Sequence, residues 1–275
     1  MAVLLNGRKV AKKILNQLKK RFKLLPSTKL AVVMVGTNPA SESFVKQKQK
    51  IAQELSVNFK LIRLNSKISL NSLTKEILKL SQDKTITGIV VQLPLPKHLD
   101  EDKIIKLIPV EKDVDALGSD KLVKPPAAAG ILQLLNFYKI KPQGKTIAIV
   151  GQGKLIGKPL TKLFKTMKNV KLITCDINTK NLKKQTLKAD ILISATGTPC
   201  LIKKDMVKKK TVIIDAGFSM KKGKIIGDVD FEKVKDKVSY ITPNPGGVGP
   251  ITVAMLYSNL AQLKEFQLKI KNNKV

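Results

Sequence analysis

The chain has 275 residues, which is enough for one or two domains with a sizeable core, and its hydrophobic content of 43% is ordinary for a folded protein. No apolar run approaches the roughly 20 residues that a membrane-spanning helix needs, so no transmembrane segment is predicted. The net charge of +32, from 52 basic and 20 acidic residues, would attract polyanions.

The distribution of this positive charge does not favour a dedicated nucleic-acid-binding protein. Only Arg8, Arg21 and Arg63 offer a forked guanidinium donor, aromatic residues make up just 4%, and the lysines are spread over every predicted helix. A solvated, Lys-rich surface explains the charge better, and nucleic-acid binding is kept as an alternative.

Cysteine and histidine content argues against a metal site. Cys175 and Cys200 form no C-x-x-C pair and His98 is the single histidine, so no metal site is predicted. The cysteine usage favours a reducing compartment. The apolar part of the N-terminus is too short for a secretory signal, so we expect an uncleaved, cytoplasmic protein.

The first half of the chain alternates helical patterns with short apolar runs rich in β-branched residues. This alternation predicts a parallel sheet covered by helices. The predicted strands are residues 30–36, 60–64 and 86–91, and the predicted helices are residues 8–22, 41–55, 70–80 and 100–107.

A second series of the same kind follows a predicted helix at residues 129–138. Its predicted strands are residues 146–150, 170–174, 191–195, 212–214 and 240–241, with helices at residues 158–168, 181–188 and 252–268. The fold class is therefore α/β with two domains. Residues 1–120 and 252–275 form the first domain, on which the last helix packs back, and residues 121–251 form a Rossmann-like domain with a parallel sheet.

A glycine-rich turn after the strand at residues 146–150 predicts a dinucleotide site. Gly151, Gly153 and Gly157 lead into a helix, where backbone N–H groups and the helix dipole favour a pyrophosphate, although the spacing is one residue longer than usual. Asp176 ends the next strand, where a ribose-binding acid is expected. Either feature alone could be an ordinary loop, but together they favour a nucleotide. The predicted cofactor-binding residues are Gly151, Gln152, Gly153, Leu155, Ile156, Gly157, Asp176, Ala195, Thr196, Gly197, Asp215 and Gly217.

A second constellation of polar residues lies in the first domain. Phe44 and Lys48 are four apart on one helix and share a face, a spacing that is also usual for core plus solvated surface. Gln92 stands where an apolar strand stops, and Asp115 lies in a polar break. A lysine beside an amide and a carboxylate can have its pKa tuned for proton transfer.

Residues 243–250 contain three prolines and three glycines directly after a strand-like segment. Prolines fix the chain, and glycines permit close approach of a ligand to the backbone. Asp215 ends the neighbouring apolar run at residues 212–214, and open α/β sheets place ligands beyond such strand ends. This run alone is equally compatible with a surface loop that is rich in proline and glycine.

Five motifs resemble those of the bifunctional methylenetetrahydrofolate dehydrogenase/cyclohydrolase family. They are Val35-Gly36-x-x-Pro39-Ala40-Ser41 with Lys48, GIVVQLPLP at residues 88–96, EKDVD at 111–115, GDVDF at 227–231 and PGGVGPIT at 245–252. The resemblance covers nearly the whole chain, and the motifs around Gln92 and Gly246 are highly specific.

The resemblance implies two reactions of one-carbon metabolism, in a cleft between the domains, that serve purine biosynthesis. Methylenetetrahydrofolate would be oxidised with NAD or NADP, and the methenyl product would be hydrolysed to formyltetrahydrofolate. The family's catalytic lysine, the residue that holds it and the pterin-binding acid match Lys48, Gln92 and Asp115. A homodimer is also implied. The implied substrate-binding residues are Phe44, Lys48, Gln92, Leu93, Pro94, Asp115, Pro245, Gly246, Gly247 and Val248.

Several positions depart from the family pattern. Phe44 replaces the usual Tyr, Ala116-Leu117-Gly118 follow Asp115 in place of Gly-Phe-His, and Pro126-Ala127-Ala128 replace Cys-Thr-Pro. These changes remove a hydroxyl and other polar groups that the resemblance places near the reacting centre. A family member that has lost hydride transfer and keeps hydrolysis or folate binding is therefore the main alternative.

The cofactor region departs as well. Gln152 and Asn178 stand where the family usually has arginines, and Asp176 would repel a 2′-phosphate. These residues favour NAD over NADP. Nearby Lys154, Lys158 or Lys180 could replace the arginines, so the preference is a hypothesis.

Overall fold

Two parallel sheets, one of three strands and one of six, organise the chain in the computed structural model, which describes residues 2–221 and 224–272. The strands are β1 (Val3–Leu4), β2 (Lys29–Val35), β3 (Asn58–Leu64), β4 (Gly88–Val91), β5 (Thr146–Val150), β6 (Lys171–Cys175), β7 (Ile191–Ser194), β8 (Val212–Asp215), β9 (Ser219–Lys221), β10 (Lys224–Ile226) and β11 (Tyr240–Ile241). The helices are α1 (Gly7–Lys23), α2 (Pro39–Glu54), α3 (Leu70–Gln82), α4 (Glu101–Lys106), α5 (Pro126–Phe137), α6 (Gly157–Lys165), α7 (Leu182–Thr186), α8 (Phe231–Val234) and α9 (Val248–Asn272), with a 3₁₀ turn at Lys204–Met206.

The chain divides into two compact units. The three-stranded unit comprises residues 13–126 and 253–275, and the six-stranded unit comprises residues 1–12 and 127–252. Parts of the predicted domains, namely Met1 and residues 222–223 and 273–275, lie outside the described residues. The two-domain α/β class with a Rossmann-like parallel sheet is confirmed.

The three-stranded sheet has the order β3-β2-β4, with both pairs parallel. Its central strand is buried on both faces, because Leu30, Val32 and Met34 point into one hydrophobic cluster and the alternate residues point into another. One cluster contains six residues of α9, namely Val253, Leu256, Tyr257, Leu260, Ala261 and Leu263. The prediction that the last helix packs back on the first domain is therefore confirmed.

Local capping explains where α2 begins. The side chain of Asn38 accepts hydrogen bonds from the backbone N–H groups of Ala40 and Ser41, and Pro39 occupies the first helical turn. The helix thus begins two residues before the predicted start. This cap fixes α2 directly beyond the carboxyl end of β2.

The six-stranded sheet has the order β1-β11-β8-β7-β5-β6, and its adjacent strands pair in parallel. The first twelve residues belong to this unit, whereas the predicted first domain comprises residues 1–120 and 252–275. The reason is that Val3 and Leu4 pair with Tyr240 and Ile241 at the sheet edge. Two residues are too few to show a strand pattern in the sequence.

The last helix also begins earlier than predicted, at Val248 instead of residue 252. Pro250 therefore lies in the first turn of α9, where a missing N–H group costs no helical hydrogen bond. Among the described residues, no helix combines the length and apolar character needed to cross a bilayer. No cluster of three or more His, Cys, Asp or Glu side chains in the described ranges has the arrangement of a metal site.

Candidate active site and dinucleotide site

The order of the three-stranded sheet creates a topological switch point between β2 and β4. The chain passes from β2 to β3 on one side of β2 and then returns to β4 on the other side. Ligands in open α/β sheets bind beyond the carboxyl ends of strands at such a point. Helix α2 follows β2, and Gln92 follows β4, so both elements meet at this edge.

Lys48 lies on the buried face of α2. Ser41, Val45, Lys48 and Ala52 recur at helical spacing and are all buried, so a lysine occupies a stripe that otherwise packs into the core. Its side chain is 7% exposed, and Nζ donates a hydrogen bond of 2.9 Å to Oε1 of Gln92. A buried amine needs such a partner, because an unpaired buried charge is costly.

The amide of Gln92 is itself fixed in orientation. Its Nε2 donates to the carbonyl oxygen of Leu93 at 2.9 Å, and its backbone N–H donates to the carbonyl of Val33 at 2.8 Å. The side-chain oxygen therefore remains directed at Lys48. Gln92 is a rigid acceptor and not a mobile surface amide.

Asp115 is half-buried and interacts electrostatically with Lys48. Desolvation by burial lowers the pKa of Lys48, and the charge of Asp115 opposes this shift. Burial likewise raises the pKa of Asp115, against the charge of Lys48. Both groups are thus displaced toward their neutral forms, which is the condition under which a lysine exchanges protons near neutral pH.

The loop that carries Asp115 is held from two sides. The backbone carbonyl of Lys112 accepts a hydrogen bond from the N–H of Ile89 in β4. Nζ of Lys112 donates to the carbonyls of Ser81 and Asp83 at 2.7 and 2.8 Å. The carboxylate of Asp113 accepts the N–H of Gly118 at 2.7 Å. Burial is the main reason that the pKa of Asp113 is raised to about 6.

The remaining predicted substrate contacts of this unit lie around the same edge. Phe44 is half-buried against the cluster that contains Val45, four residues before Lys48 on α2. Leu93 is half-buried and Pro94 is exposed, and the peptide bond between them is cis. The structure therefore brings the predicted residues of this unit to one sheet edge.

A second switch point lies between β5 and β7 in the six-stranded sheet, because β6 and β7 flank β5 on opposite sides. Gly151 has φ +94°, and a Cβ there would lie 2.4 Å from the carbonyl oxygen of Ala195. A Cβ on Gly157 would lie 1.9 Å from the carbonyl oxygen of Gly151. These two glycines therefore permit the tight turn from β5 into α6, as the glycine-rich pattern predicts.

The other residues of the glycine-rich turn are more open. Gly153 has no atom within 4 Å of the position of a Cβ, Leu155 is 46% exposed, and Ile156 precedes α6. The side chain of Gln152 is turned toward α6, where its Oε1 accepts a hydrogen bond from Thr161. This cradle of backbone is suited to a pyrophosphate.

Asp176 is exposed immediately after β6, at the position that the sequence predicts for a ribose-binding acid. Its Oδ1 accepts hydrogen bonds from the N–H of Asn178 and the hydroxyl of Thr179. The carboxylate is therefore oriented by its own turn at the edge of the sheet.

The segment after β7 is anchored by Asp228, a residue that the sequence analysis quoted in a motif without assigning a role. Its Oδ2 accepts the hydroxyl of Ser194 and the N–H of Thr196, at 2.8 and 2.6 Å. Asp228 is fully buried, and its Oδ1 is the one buried side-chain N or O atom of the described chain without a hydrogen-bond partner. These bonds fix Ala195, Thr196 and Gly197 beside Gly151.

The side chain of Asp215 contacts backbone groups of its own unit and has a structural role. Its buried carboxylate accepts hydrogen bonds from the backbone N–H groups of Gly217, Asp228 and Val229. Burial is the main reason that its pKa is raised to about 6, and the charge of Asp228 adds to the shift. The carboxylate thus joins the ends of two loops, and Gly217 is needed because a Cβ would meet the side chain of Asp228 at 2.0 Å.

The Pro/Gly run is partly buried, which disfavours the alternative that it is only a surface loop. Gly246, Gly247 and Val248 are buried, whereas Pro245 is exposed after a cis peptide bond. The carbonyl of Gly246 accepts the N–H of Gly7, and a Cβ on Gly7 would lie 1.7 Å from the carbonyl oxygen of Gly247. Close backbone packing therefore requires glycine at position 7, and a Cβ on Gly247 would likewise lie 2.7 Å from the carbonyl oxygen of Pro243.

Two polar residues on α9 were missed by the sequence analysis. Tyr257 and Asn259 are both buried in the three-stranded unit, and their side chains donate hydrogen bonds to backbone carbonyls. The signal that could have identified them is a pair of polar residues within an otherwise apolar helical stretch.

Comparisons with known proteins match two consecutive parts of the chain to one family. The family model described as "Tetrahydrofolate dehydrogenase/cyclohydrolase, catalytic domain" matches residues 5–115, and the NAD(P)-binding domain of the same family matches residues 125–268. Bifunctional protein FolD of Aquifex aeolicus is 42% identical over 284 residues, which are 98% of this chain and 97% of that protein. The corresponding protein of Mycoplasma mycoides is 41% identical over 98% of this chain and 99% of its own length.

Solved structures agree with these matches. The bifunctional methylenetetrahydrofolate dehydrogenase/cyclohydrolase FolD from Campylobacter jejuni has a TM-score of 0.90 and 37% identity, covering 97% of this chain and 100% of that chain. The Trypanosoma brucei dehydrogenase-cyclohydrolase, solved with NADP cofactor and an inhibitor, has a TM-score of 0.91 and 28% identity, covering 97% and 98%.

Proposed function

This chain belongs to the tetrahydrofolate dehydrogenase/cyclohydrolase family, and from this premise we propose which of its residues carry the two reactions and which cofactor it prefers. The reactions are the oxidation of methylenetetrahydrofolate to methenyltetrahydrofolate with NAD(P) and the hydrolysis of that product to formyltetrahydrofolate. The matches cover both family domains, and they give no support to a nucleic-acid-binding protein or to a member that lost oxidation.

In the hydrolysis, Lys48 is the proton carrier. A water molecule attacks the methenyl carbon, a C–O bond forms, and a proton must leave the water. Burial lowers the pKa of Lys48 and so favours the neutral amine that can take that proton, and Gln92 accepts a hydrogen bond from Nζ at 2.9 Å. The hydroxyl of the adduct then loses its proton as the C=O bond forms, while the C–N bond to the ring nitrogen breaks and that nitrogen takes up a proton.

Asp115 and Phe44 hold the pterin in this account. An ionised carboxylate is an acceptor that fits an amine and an adjacent ring N–H, and a half-buried aromatic ring offers a stacking face. Burial raises the pKa of Asp115, and the charge that Lys48 carries when it is protonated opposes this shift. Leu93, Pro94 and the segment from Pro245 to Val248 are the remaining proposed folate contacts.

The glycine-rich turn fits a dinucleotide, because the space that a Cβ would occupy at Gly151 and Gly157 is taken by backbone oxygens. Gly151, Gly153 and Gly157 would hold the pyrophosphate, and Thr196 and Gly197 would flank it from the end of β7. A dinucleotide held there would supply its nicotinamide as the acceptor of the hydride from the methylene bridge of the folate. Asp215 and Gly217 act in this proposal through the loop that they order.

NAD is the proposed preferred cofactor. Asp176 is exposed at the ribose position, and its charge would repel a 2′-phosphate. Gln152, where an arginine is usual, is turned toward Thr161. The NADP-bound relative is only 28% identical, so its ligand does not decide the preference of this chain.

A homodimer, a cytoplasmic location and a contribution to purine biosynthesis remain proposals that follow from the family resemblance. Light scattering of the purified protein tests the first of these, with a mass near twice that of one chain as the expected result.

The observation that carries the proposed function is the buried Lys48–Gln92 hydrogen bond beside Asp115. The test is an assay of the purified protein with methylenetetrahydrofolate and each nicotinamide cofactor, followed by detection of the formyl product. Formation of reduced cofactor and then formyltetrahydrofolate supports the proposal. Hydrolysis of added methenyltetrahydrofolate without oxidation would favour the reduced-function alternative, and salt-dependent DNA binding without folate turnover would favour the nucleic-acid alternative.

A further inference from the structure

Two buried side chains of α9 contact the backbone that carries the proposed catalytic residues. The hydroxyl of Tyr257 donates to the carbonyl oxygen of Lys48 at 2.6 Å. Nδ2 of Asn259 donates to the carbonyl oxygen of Val114, the residue before Asp115, at 2.8 Å. The same nitrogen donates to the carbonyl of Lys124, also at 2.8 Å.

These contacts are more than incidental surface hydrogen bonds. Tyr257 is fully buried and belongs to the hydrophobic cluster that includes Val45 and Val114, and Asn259 is 4% exposed. Burying a hydroxyl or an amide is favourable only when its hydrogen bonds are made. Both N–H groups of Asn259 are used, each on a different backbone segment. Apolar side chains at positions 257 and 259 could pack there without any hydrogen bond to satisfy.

The interactions of Lys48 with Gln92 and Asp115 depend on where the backbone of α2 and of the loop that carries Asp115 lies. The amine of Lys48 reaches Gln92 at 2.9 Å, the usual length of such a bond, and it interacts electrostatically with Asp115. A Coulomb interaction varies inversely with separation and is stronger away from water. A shift of α2 or of the 113–118 loop would therefore change both the reach and the protonation of Lys48.

We propose that Tyr257 and Asn259 are positioning residues of the hydrolysis reaction, which hold Lys48 and Asp115 in register from the C-terminal helix. This inference rests on the proposed function, because it assigns a support to residues that the proposal makes catalytic. Tyr257 and Asn259 themselves touch neither substrate nor the reacting atoms. They act by fixing two backbone segments that are far apart in sequence to one helix.

The test uses three variants of the full-length protein. Tyr257→Phe removes one hydroxyl and keeps the buried ring, so the variant should fold. Asn259→Ala removes the donor to both carbonyls. Gln262→Met is the matched control, because Gln262 on the same helix also donates to a backbone carbonyl, that of Leu122, at an exposed position.

The expected result is a fall of about tenfold in kcat for methenyltetrahydrofolate hydrolysis in Tyr257→Phe, since displacements of about 1 Å can cost roughly 100-fold. Its pH profile should also shift, because the protonation of Lys48 depends on its distance from Asp115. Asn259→Ala should show the same two changes, and Gln262→Met should show neither. The circular dichroism spectrum and melting temperature of each variant report on its folding.

A merely structural role would lower the melting temperature without moving the pH profile, and that result would overturn the inference. Wild-type kcat and pH profile in Tyr257→Phe would overturn it equally, whether or not Asn259→Ala folds. Lys48→Met is assayed in parallel. If Lys48→Met is inactive while Tyr257→Phe behaves as wild type, only the positioning role fails, whereas an active Lys48→Met variant contradicts the proposed function itself.

Discussion

The amine of Lys48 donates a hydrogen bond of 2.9 Å to the side-chain oxygen of Gln92, although the two residues are 44 positions apart in the chain. Helix α2 brings the first residue and the end of β4 brings the second to the switch point of the three-stranded sheet. The contact therefore depends on the parallel register of β2 and β4, in which Val33 lies beside Val91, directly before Gln92.

Substitutions of Gln92 should move the pH profile of hydrolysis in opposite directions. Gln92→Glu places a negative charge beside Lys48, which raises the pKa of the lysine, so the active neutral amine appears only at higher pH. Gln92→Met removes the acceptor that stabilises the ammonium form, which lowers the pKa and moves the rising limb to lower pH. Initial rates of methenyltetrahydrofolate hydrolysis across pH measure both shifts. A profile that stays in place in both variants would contradict the role of Gln92.

Cofactor binding should be sensitive to a methyl group added at a glycine of the glycine-rich turn and insensitive to one added at a glycine elsewhere. Gly157→Ala places a Cβ within 1.9 Å of a backbone oxygen, so the turn must move, and the KM for the nicotinamide cofactor should rise by about tenfold or more. Gly249→Ala is the matched control, since no atom lies within 4 Å of its Cβ position and Gly249 is not among the proposed cofactor-binding residues. Hydrolysis of added methenyltetrahydrofolate, measured in the same preparations, should remain in both. Equal cofactor KM values for the two variants would count against the proposed cradle.

The cofactor preference should respond to Asp176. Asp176→Ser removes the charge that opposes a 2′-phosphate, so the ratio of kcat/KM for NADP to that for NAD should increase about tenfold. Asp236→Asn removes another exposed carboxylate of the same unit and should leave the ratio unchanged. A wild-type preference for NADP, or an unchanged ratio in Asp176→Ser, would refute the assignment.

The buried carboxyl group of Asp113 should make stability depend on pH in a defined direction. Its pKa is about 6 in the folded protein against an ordinary value of 3.8, so between these values the folded state binds more protons than the unfolded state. Stability contributed by this group therefore falls as pH rises from 4 to 7. Relative to Asp113→Asn, which does not titrate, the wild-type free energy of unfolding should fall by about 2–3 kcal/mol over that range. Urea unfolding at both pH values measures the difference, and a constant difference would exclude the shift.

The sequence predicts much of the fold because the relevant signals are local. Apolar runs mark β2, β4, β5 and β8, and the glycine pattern marks the turn where Gly151 and Gly157 leave no space for a Cβ. The two-residue strand β1 carries no such signal, since it exists only through its pairing with β11. The early start of α9 was hidden by glycines and Pro250, which the first turn of a helix tolerates.

The sequence predicted which residues form the candidate site, but it did not predict many of their hydrogen-bond partners. Lys48, Gln92 and Asp115 were identified through motif resemblance, but the burial of Lys48 on α2 follows from tertiary packing. Asp215 resembled a ligand-binding acid because it ends a strand, yet its carboxylate is occupied by three backbone N–H groups. The partners of Asp228, Tyr257 and Asn259 lie 34, 209 and 145 residues away, and no local pattern reports such contacts.

The central claim, that Lys48 carries the proton in hydrolysis, is tested most directly by Lys48→Met. The rate of methenyltetrahydrofolate hydrolysis should fall roughly 10²- to 10⁴-fold, the usual contribution of a positioned acid or base, while folate binding persists. Lys46→Met, an exposed lysine two residues earlier on the same helix, is the control and should keep the wild-type rate. Hydrolysis by Lys48→Met at the rate of the Lys46→Met control would contradict the account.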